Sequence, residues 1–163
     1  MKNITAAMVR SSVGYDKETG VFFHLLDRGH RKAGDPAGSR NVVNGYVELS
    51  ICGIKAYGHR MAWLYEHGTD AQLTIDHING VRHDNRISNL RLASRAVNSQ
   101  NTRAAQKNSV SGFLGVSYCK FTNRWKAQIT AGRNYTLGRF DTPELAYEAY
   151  LTAKRQMHEG CTI

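Results

Sequence analysis

Thr74-Ile75-Asp76-His77-Ile78-Asn79-Gly80, continued by Asp84-Asn85-Arg86 and Asn89-Leu90-Arg91 and closing at Asn98 and Asn101, is the stretch on which the reading of this chain turns. It sets a carboxylate, an imidazole and several carboxamides along an arginine-rich run. Hydrolysing a phosphodiester requires an activated water, charge stabilisation on the phosphate oxygens and help for the departing sugar oxygen. One imidazole and one hard metal ion can supply all of these. Asn79-Gly80 reads as a turn, and Asn85 and Asn89 as carboxamides that hydrogen-bond loop backbone and so shape the site. His83, in a polar loop, is expected to face solvent.

Working outward, Ser94 can cap the exposed amides of a helix over Arg95 to Ala105, which would place Asn98 and Asn101 on one helical face. On the N-terminal side, Val21 to Leu26 reads as a short buried strand, and the polar, glycine-rich run Asp27 to Arg40 as a loop that is mobile without a ligand. Asn44-Gly45 signals a tight turn before Tyr46 to Ile51, where Val47, Leu49 and Ile51 alternate with Tyr46, Glu48 and Ser50. A second strand, Ile54 to Tyr57, follows. Met61, Leu64 and Tyr65 then recur at helical spacing until Gly68.

The run Gln106 to Gly112 lacks apolar periodicity and reads as a linker, which divides the chain into residues 1–106 and 107–163. Beyond it, Phe113 to Cys119, Arg124 to Thr130 and Tyr135 to Phe140 read as strands. Trp125, Ala127 and Ile129 share one face of the middle strand, and Arg124, Lys126, Gln128 and Thr130 the other. Thr142-Pro143 opens a helix whose apolar stripe is Ala146, Ala149, Tyr150, Ala153 and Met157. That helix is expected to cover the Trp125 face and leave the basic face open.

Composition narrows the partners. Lysine and arginine number 22 against 13 acidic residues in 163, a formal charge of +9. The excess is clustered: Arg82, Arg86, Arg91, Arg95, Arg103 and Lys107 face only Asp84 between residues 82 and 107, and Ser117 to Phe140 carries five basic residues and no acid. Clustering of this kind suits a polyanion, nucleic acid first. No apolar run is long enough for a membrane span or a secretory signal, so no membrane partner and an intracellular address are expected. Cys52, Cys119 and Cys161 are far apart and form no C-x-x-C pair, which indicates neither a disulfide framework nor a structural zinc site.

The Asp76 to Asn98 run resembles the HNH endonucleases encoded by phages and mobile introns. The resemblance implies a ββα-metal fold with a small β scaffold, with His77 as general base, Asp76 and Asn98 as ligands of a divalent ion, and Asn101 as the alternative helix ligand. Asn85 and Asn89 are then structural within the motif. Oxygen ligands suit Mg²⁺ or Mn²⁺, and no zinc is expected. Some HNH proteins hold the module together with zinc ribbons, so here a packed core must do so. His59-Arg60 resembles the histidine-arginine pair that precedes the motif in phage HNH proteins, where packing or phosphate contact is its expected role. Arg82, Arg86 and Arg91 are candidate phosphate contacts.

Gly115-Val116, Trp125 to Ile129, Leu137 to Thr142 and the Ala146-Tyr147 and Ala149-Tyr150 pairs resemble the AP-two/ERF-type DNA-binding domain. That resemblance implies a three-stranded antiparallel sheet, packed on one helix, lying in the major groove. Arg124, Lys126, Gln128, Thr130 and Arg133 would then contact DNA, with Ser117, Cys119 and Arg139 nearby. The first strand departs from the plant pattern, with Ser117 and Cys119 in place of arginines. The expectation is an α+β protein acting as a monomeric, metal-dependent, homing-type endonuclease on double-stranded DNA in the cytoplasm of a phage-infected bacterial host. The competing expectations are a DNA-binding regulator with a vestigial nuclease half, and a nuclease acting on RNA or junctions.

Overall fold

The computed structural model describes residues 4–159 and 161. The fold is mixed α+β, and packing divides it into two compact units, Met1–Arg95 and Ala96–Ile163. The division lies ahead of the 106/107 boundary drawn from composition. The polar run around residue 109 is bound into the second unit, because the Ser111 hydroxyl donates to the Val116 carbonyl at 2.8 Å. Low hydrophobicity there marks a pinned loop.

The first unit opens with α1 (Ala6–Ser12), capped by Thr5, whose hydroxyl accepts from the Met8 amide at 3.3 Å. It leads into a hairpin of β1 (Val13–Asp16) and β2 (Val21–His24), with β3 (Pro36–Ala37) added on β2. Neither α1 nor β1 was expected, and β2 stops two residues short of Leu26. The run Asp27 to Arg40 is also more ordered than its composition suggests. It contains β3 and β4 (Ser39–Arg40), and Asp27 accepts from the Lys32 ammonium and the Ala33 amide, both at 2.9 Å. Carboxylate-to-backbone bonds of this kind order a loop that has no apolar period.

Strands β4, β5 (Val47–Ile51) and β6 (Ile54–Tyr57) form a second antiparallel sheet, with Leu49 and Ile51 buried as the alternation requires. Helix α2 (Gly58–His67) follows and ends at Gly68 in the left-handed conformation, φ 76°. Val9, Phe22, Ile51, Met61, Ala62, Leu64, Ile75 and Leu90 meet in one core, so α1, the hairpin, the sheet and α2 all pack behind the strand that carries His77.

Strand β7 (Thr74–His77) pairs antiparallel with β8 (Leu90–Ala93), with Asp76 opposite Arg91 and His77 opposite Leu90. A single 3-10 turn, Ile87–Asn89, feeds β8. Helix α3 (Arg95–Gln100) comes next, shorter than the Arg95 to Ala105 span expected. Asn98 lies in it and is exposed, whereas Asn101 falls beyond its end and is buried. The two therefore do not share a helical face.

In the second unit, β9 (Val116–Cys119), β10 (Arg124–Ala131) and β11 (Arg133–Phe140) form an antiparallel sheet in the order β11-β10-β9. Strand β9 begins later than Phe113 because Gly115 is left-handed, φ 69°, and a Cβ there would lie 2.1 Å from the Tyr150 ring. Only glycine lets the backbone approach that ring so closely. Helix α4 (Pro143–Met157) starts as expected, with the Thr142 hydroxyl accepting from the Leu145 amide at 3.3 Å. Ala127 and Ile129 are buried, Trp125 packs beside them, and Ala146, Tyr150 and Ala153 close the core from α4. The apolar stripe also includes Lys154, only 1% exposed, whose ammonium donates to the Thr102 carbonyl.

Candidate active site

Asp76 and His77 end β7 at 6% and 5% exposure, too little for charged groups unless neighbours hold them. The register supplies the partner for Asp76. Arg91, directly across on β8, donates from Nε and Nη2 to Asp76 Oδ2 at 3.1 and 2.9 Å. A cross-strand pair of this kind fixes the direction of the carboxylate.

His77 is placed by the loop that follows. Its Nε2 lies 3.4 Å from Asn85 Oδ1, and Asn85 is 1% exposed. The Asn85 carboxamide is therefore directed at the imidazole rather than at loop backbone, in contrast to the sequence reading. The loop is fixed from several sides. Tyr15, on β1, donates its phenolic proton to the Asn85 carbonyl at 2.7 Å, and the Ile87 amide donates to the Lys17 carbonyl at 3.2 Å. Gly58, at the start of α2, leaves the space that Asn85 occupies. A Cβ at Gly58 would lie 2.7 Å from Asn85 Nδ2, and that nitrogen is buried with no hydrogen-bond partner.

Asn89 bonds the loop around it. Its Oδ1 accepts from the Asn79 amide at 3.0 Å, and its Nδ2 donates to Asn79 Oδ1 at 3.0 Å and to the Asp84 carbonyl at 2.9 Å. Asn79-Gly80 closes its turn with the Gly80 amide on the His77 carbonyl at 2.9 Å. His83 is exposed, as expected.

Aromatic rings pack around His77. His59 meets it edge-on at 5.3 Å between centroids and Tyr46 lies at 5.9 Å, with Tyr46 and His59 5.1 Å apart and Tyr57 stacked on His59 at 5.7 Å. Packing is thus the role of His59, whereas Arg60 pairs with Asp70. Burial, then the nearby His77 and Arg60, brings the His59 imidazole down to about 4. Burial also lowers His77, opposed by its Asn85 bond and by Asp76. Both rings are neutral at pH 7, as a proton acceptor must be.

The three arginines expected on phosphate all have partners within the protein. Arg91 holds Asp76. Arg86 forks onto Asp84 at 2.8 and 2.6 Å, and with the Asn79 side-chain carboxamide this brings the Asp84 carboxyl down to about 2. Arg82 donates to the Asn44 carbonyl at 2.9 Å and lies over the Tyr46 ring at 5.2 Å. Its Tyr46 contact could have been suspected from the sequence only through the polar face assigned to Tyr46.

The HNH endonuclease family matches residues 56–100, the segment that holds α2, β7, β8 and α3. The chain is also similar to Protein 3.8 of Escherichia phage T7, 34% identical over 85 residues that cover 52% of this chain and 69% of the phage protein. The chain belongs to the HNH endonuclease family. No solved structure matches it. Among the described residues no helix is long and apolar enough to cross a membrane.

HNH nucleases typically use a divalent metal. Among the described residues no three His, Cys, Asp or Glu side chains cluster to hold an ion by themselves. The Asp76 carboxylate at the end of β7 is a hard oxygen donor. A donor of that kind suits a Mg²⁺ or Mn²⁺ ion that takes the rest of its shell from water and phosphate.

The second unit presents its own polar surface. Strand pairing sets Lys126 between Ser117 and Arg139, Gln128 opposite Thr136, Thr130 opposite Asn134, and Arg124 opposite Cys119. The exposed face expected from Arg124, Gln128 and Thr130 is therefore present, extended by Asn134 and Thr136, which the sequence reading missed. Two members are partly engaged: Arg124 pairs with Asp141 at 3.1 Å, and the Thr130 hydroxyl donates to Asn134 Oδ1 at 2.5 Å. Arg133 differs from expectation. It pairs with Ala131 and stacks over Tyr135 at 4.8 Å, so it belongs to the opposite side of the sheet.

Proposed function

We propose that this protein is a metal-dependent endonuclease that hydrolyses phosphodiester bonds of double-stranded DNA at a recognised site, in the manner of phage and intron homing enzymes. The observation that carries the reading is the buried His77 beside Asp76 at the end of β7 within the HNH segment. His77 acts as the general base. With Nε2–H donating to Asn85 Oδ1, the imidazole keeps its lone pair on Nδ1, which takes the proton of the attacking water. Asn85 thus selects the tautomer, and Asn89 keeps the loop that presents Asn85 in place.

Asp76 and Asn98 would hold Mg²⁺ or Mn²⁺, with Asn101 as the alternative to Asn98. When bound, the ion supplies charge neutralisation on the phosphate and assists the leaving oxygen. Arg91 keeps the Asp76 carboxylate oriented for that task. Arg82 and Arg86 sit at the rim of the same loop and help to position phosphate.

The second unit reads the target. Its sheet resembles the AP-two/ERF type, and the open face of Arg124, Lys126, Gln128 and Thr130 matches the size and polarity of a major-groove reader. Arg133 then serves at the edge, on phosphate. The protein works as a monomer in a phage-infected bacterial cell. Incubation of purified protein with plasmid and phage DNA, with Mg²⁺ or Mn²⁺ and then with chelator, tests the reading. Metal-dependent nicking supports it, whereas DNA binding without cleavage would make the chain a regulator. Preference for RNA in competition would move the substrate.

A further inference from the structure

The first unit carries an exposed apolar point that neither its core nor its active site uses. Val42 and Val43 are 95% and 93% exposed at the tip of the β4–β5 hairpin. Single exposed apolar residues are ordinary. Two adjacent β-branched side chains on a rigid tip are not, and this tip is tightly built. Asn41 Oδ1 accepts from the Val43 and Asn44 amides at 2.9 and 3.2 Å, the Gly45 amide donates to the Asn41 carbonyl at 2.8 Å, and the Asn41 amide donates to the Tyr46 carbonyl at 2.8 Å.

The tip is also tied to the catalytic histidine. Arg82 donates to the Asn44 carbonyl at 2.9 Å and lies over Tyr46, whose ring stands 5.9 Å from that of His77. Arg40 is exposed at the base of the same hairpin. The hairpin therefore carries an apolar point and nearby cations, and connects through Tyr46 to a base that is itself recessed at 5% exposure.

We infer that the Val42-Val43 tip is a wedge that enters between neighbouring base pairs of duplex DNA and unstacks the step beside the phosphate attacked at His77. The inference rests on the DNA-cleaving reading above. Apolar side chains inserted between base steps kink a duplex, and the cost of unstacking is recovered through the wider contact the bend allows. Valine suits the task because its side chain is stiff and loses little freedom on insertion. A kink at this step would turn the scissile phosphate toward a site that a straight duplex reaches poorly, with Arg40 and Arg82 available to the backbone on either side.

The test uses a duplex that the parent protein nicks, with the nick mapped, and the same duplex carrying a mismatch at the step beside it. The double variant Val42→Ser/Val43→Ser, shown by circular dichroism to be folded, is expected to cut the intact duplex about tenfold or more slowly than the parent. It is expected to recover near-parental rates on the mismatched duplex, where unstacking is already paid. 2-Aminopurine placed at that step should brighten with the parent and not with the variant. If the variant cuts intact duplex at the parental rate, or if the mismatch restores nothing, the wedge is overturned while the nuclease reading stands. If the parent nicks no DNA with either metal, both fall.

Discussion

The two units use polar residues in opposite ways. In the first, Asp76, His77, Asn85 and Asn89 are buried and directed at one another or at each other's loops. In the second, Arg124, Gln128 and Thr130 stand on an exposed face while Ala127 and Ile129 on the alternate positions fill the core. A buried polar network is rigid but shares its residues between folding and chemistry. An exposed face on a covered sheet can change sequence without changing the fold. The contrast teaches where a substitution should act on cleavage, on stability or on binding alone.

The largest expected effect falls on the residue proposed as general base. His77→Ala should lower the cleavage rate at least about a hundredfold while leaving DNA affinity nearly intact. Single-turnover cleavage beside equilibrium binding checks this, and equal rates for variant and parent would remove the base assignment. Next comes Asn89→Ala, which leaves the Asn79 amide and the Asp84 carbonyl without partners and should cost about 1–3 kcal/mol of stability. Chemical denaturation measures it. An unchanged midpoint would show that the first unit does not depend on its polar network, and the contrast between the units would fail.

Gln128→Ala tests the other side. It should relax base preference at a particular position by roughly 1–3 kcal/mol, and Lys126→Ala should weaken binding across sequences and flatten its salt dependence by about one unit. Neither should move the thermal midpoint, and a clear drop in that midpoint would mean that the face is structural.

The last effect is one of pH. The unfolded chain takes up a proton at His59 near pH 6.5, which the folded chain refuses until about pH 4. Stability is therefore full above pH 6.5 and falls as pH drops through that window, with His77 adding in the same direction. His59→Gln should flatten the dependence in thermal melts between pH 6.5 and 4, and a slope equal to the parent's would show that His59 is not the group responsible.

Local signals made some of this legible and long-range ones hid the rest. Strand β6 and helices α2 and α4 could be read because a glycine cap and a Thr-Pro start act within a few residues. The hard oxygen and imidazole of Asp76-His77 were visible as a motif, and so was the Asn89 turn. Asn85 was not, because the group it meets depends on how the loop folds back over β7. Arg91 looked like a phosphate contact until the β7–β8 register placed it across from Asp76. Helix α1 and strand β1 are seven and four residues long, too short for periodicity to declare them. Lys154 was passed over because a lysine on an apolar stripe is taken for a boundary, whereas here a backbone carbonyl accepts a hydrogen bond from its ammonium.

The bond from Tyr15 to the Asn85 carbonyl spans 70 residues of sequence and begins well outside the segment that matches the family. The segment that carries the recognisable letters is consequently not a portable cartridge. Grafted by itself into another scaffold, residues 56–100 would bring the imidazole and leave behind the phenol that holds its orienting loop. Evolutionary shuffling of this segment would have to carry the amino-terminal hairpin as well, or find another donor for the same carbonyl.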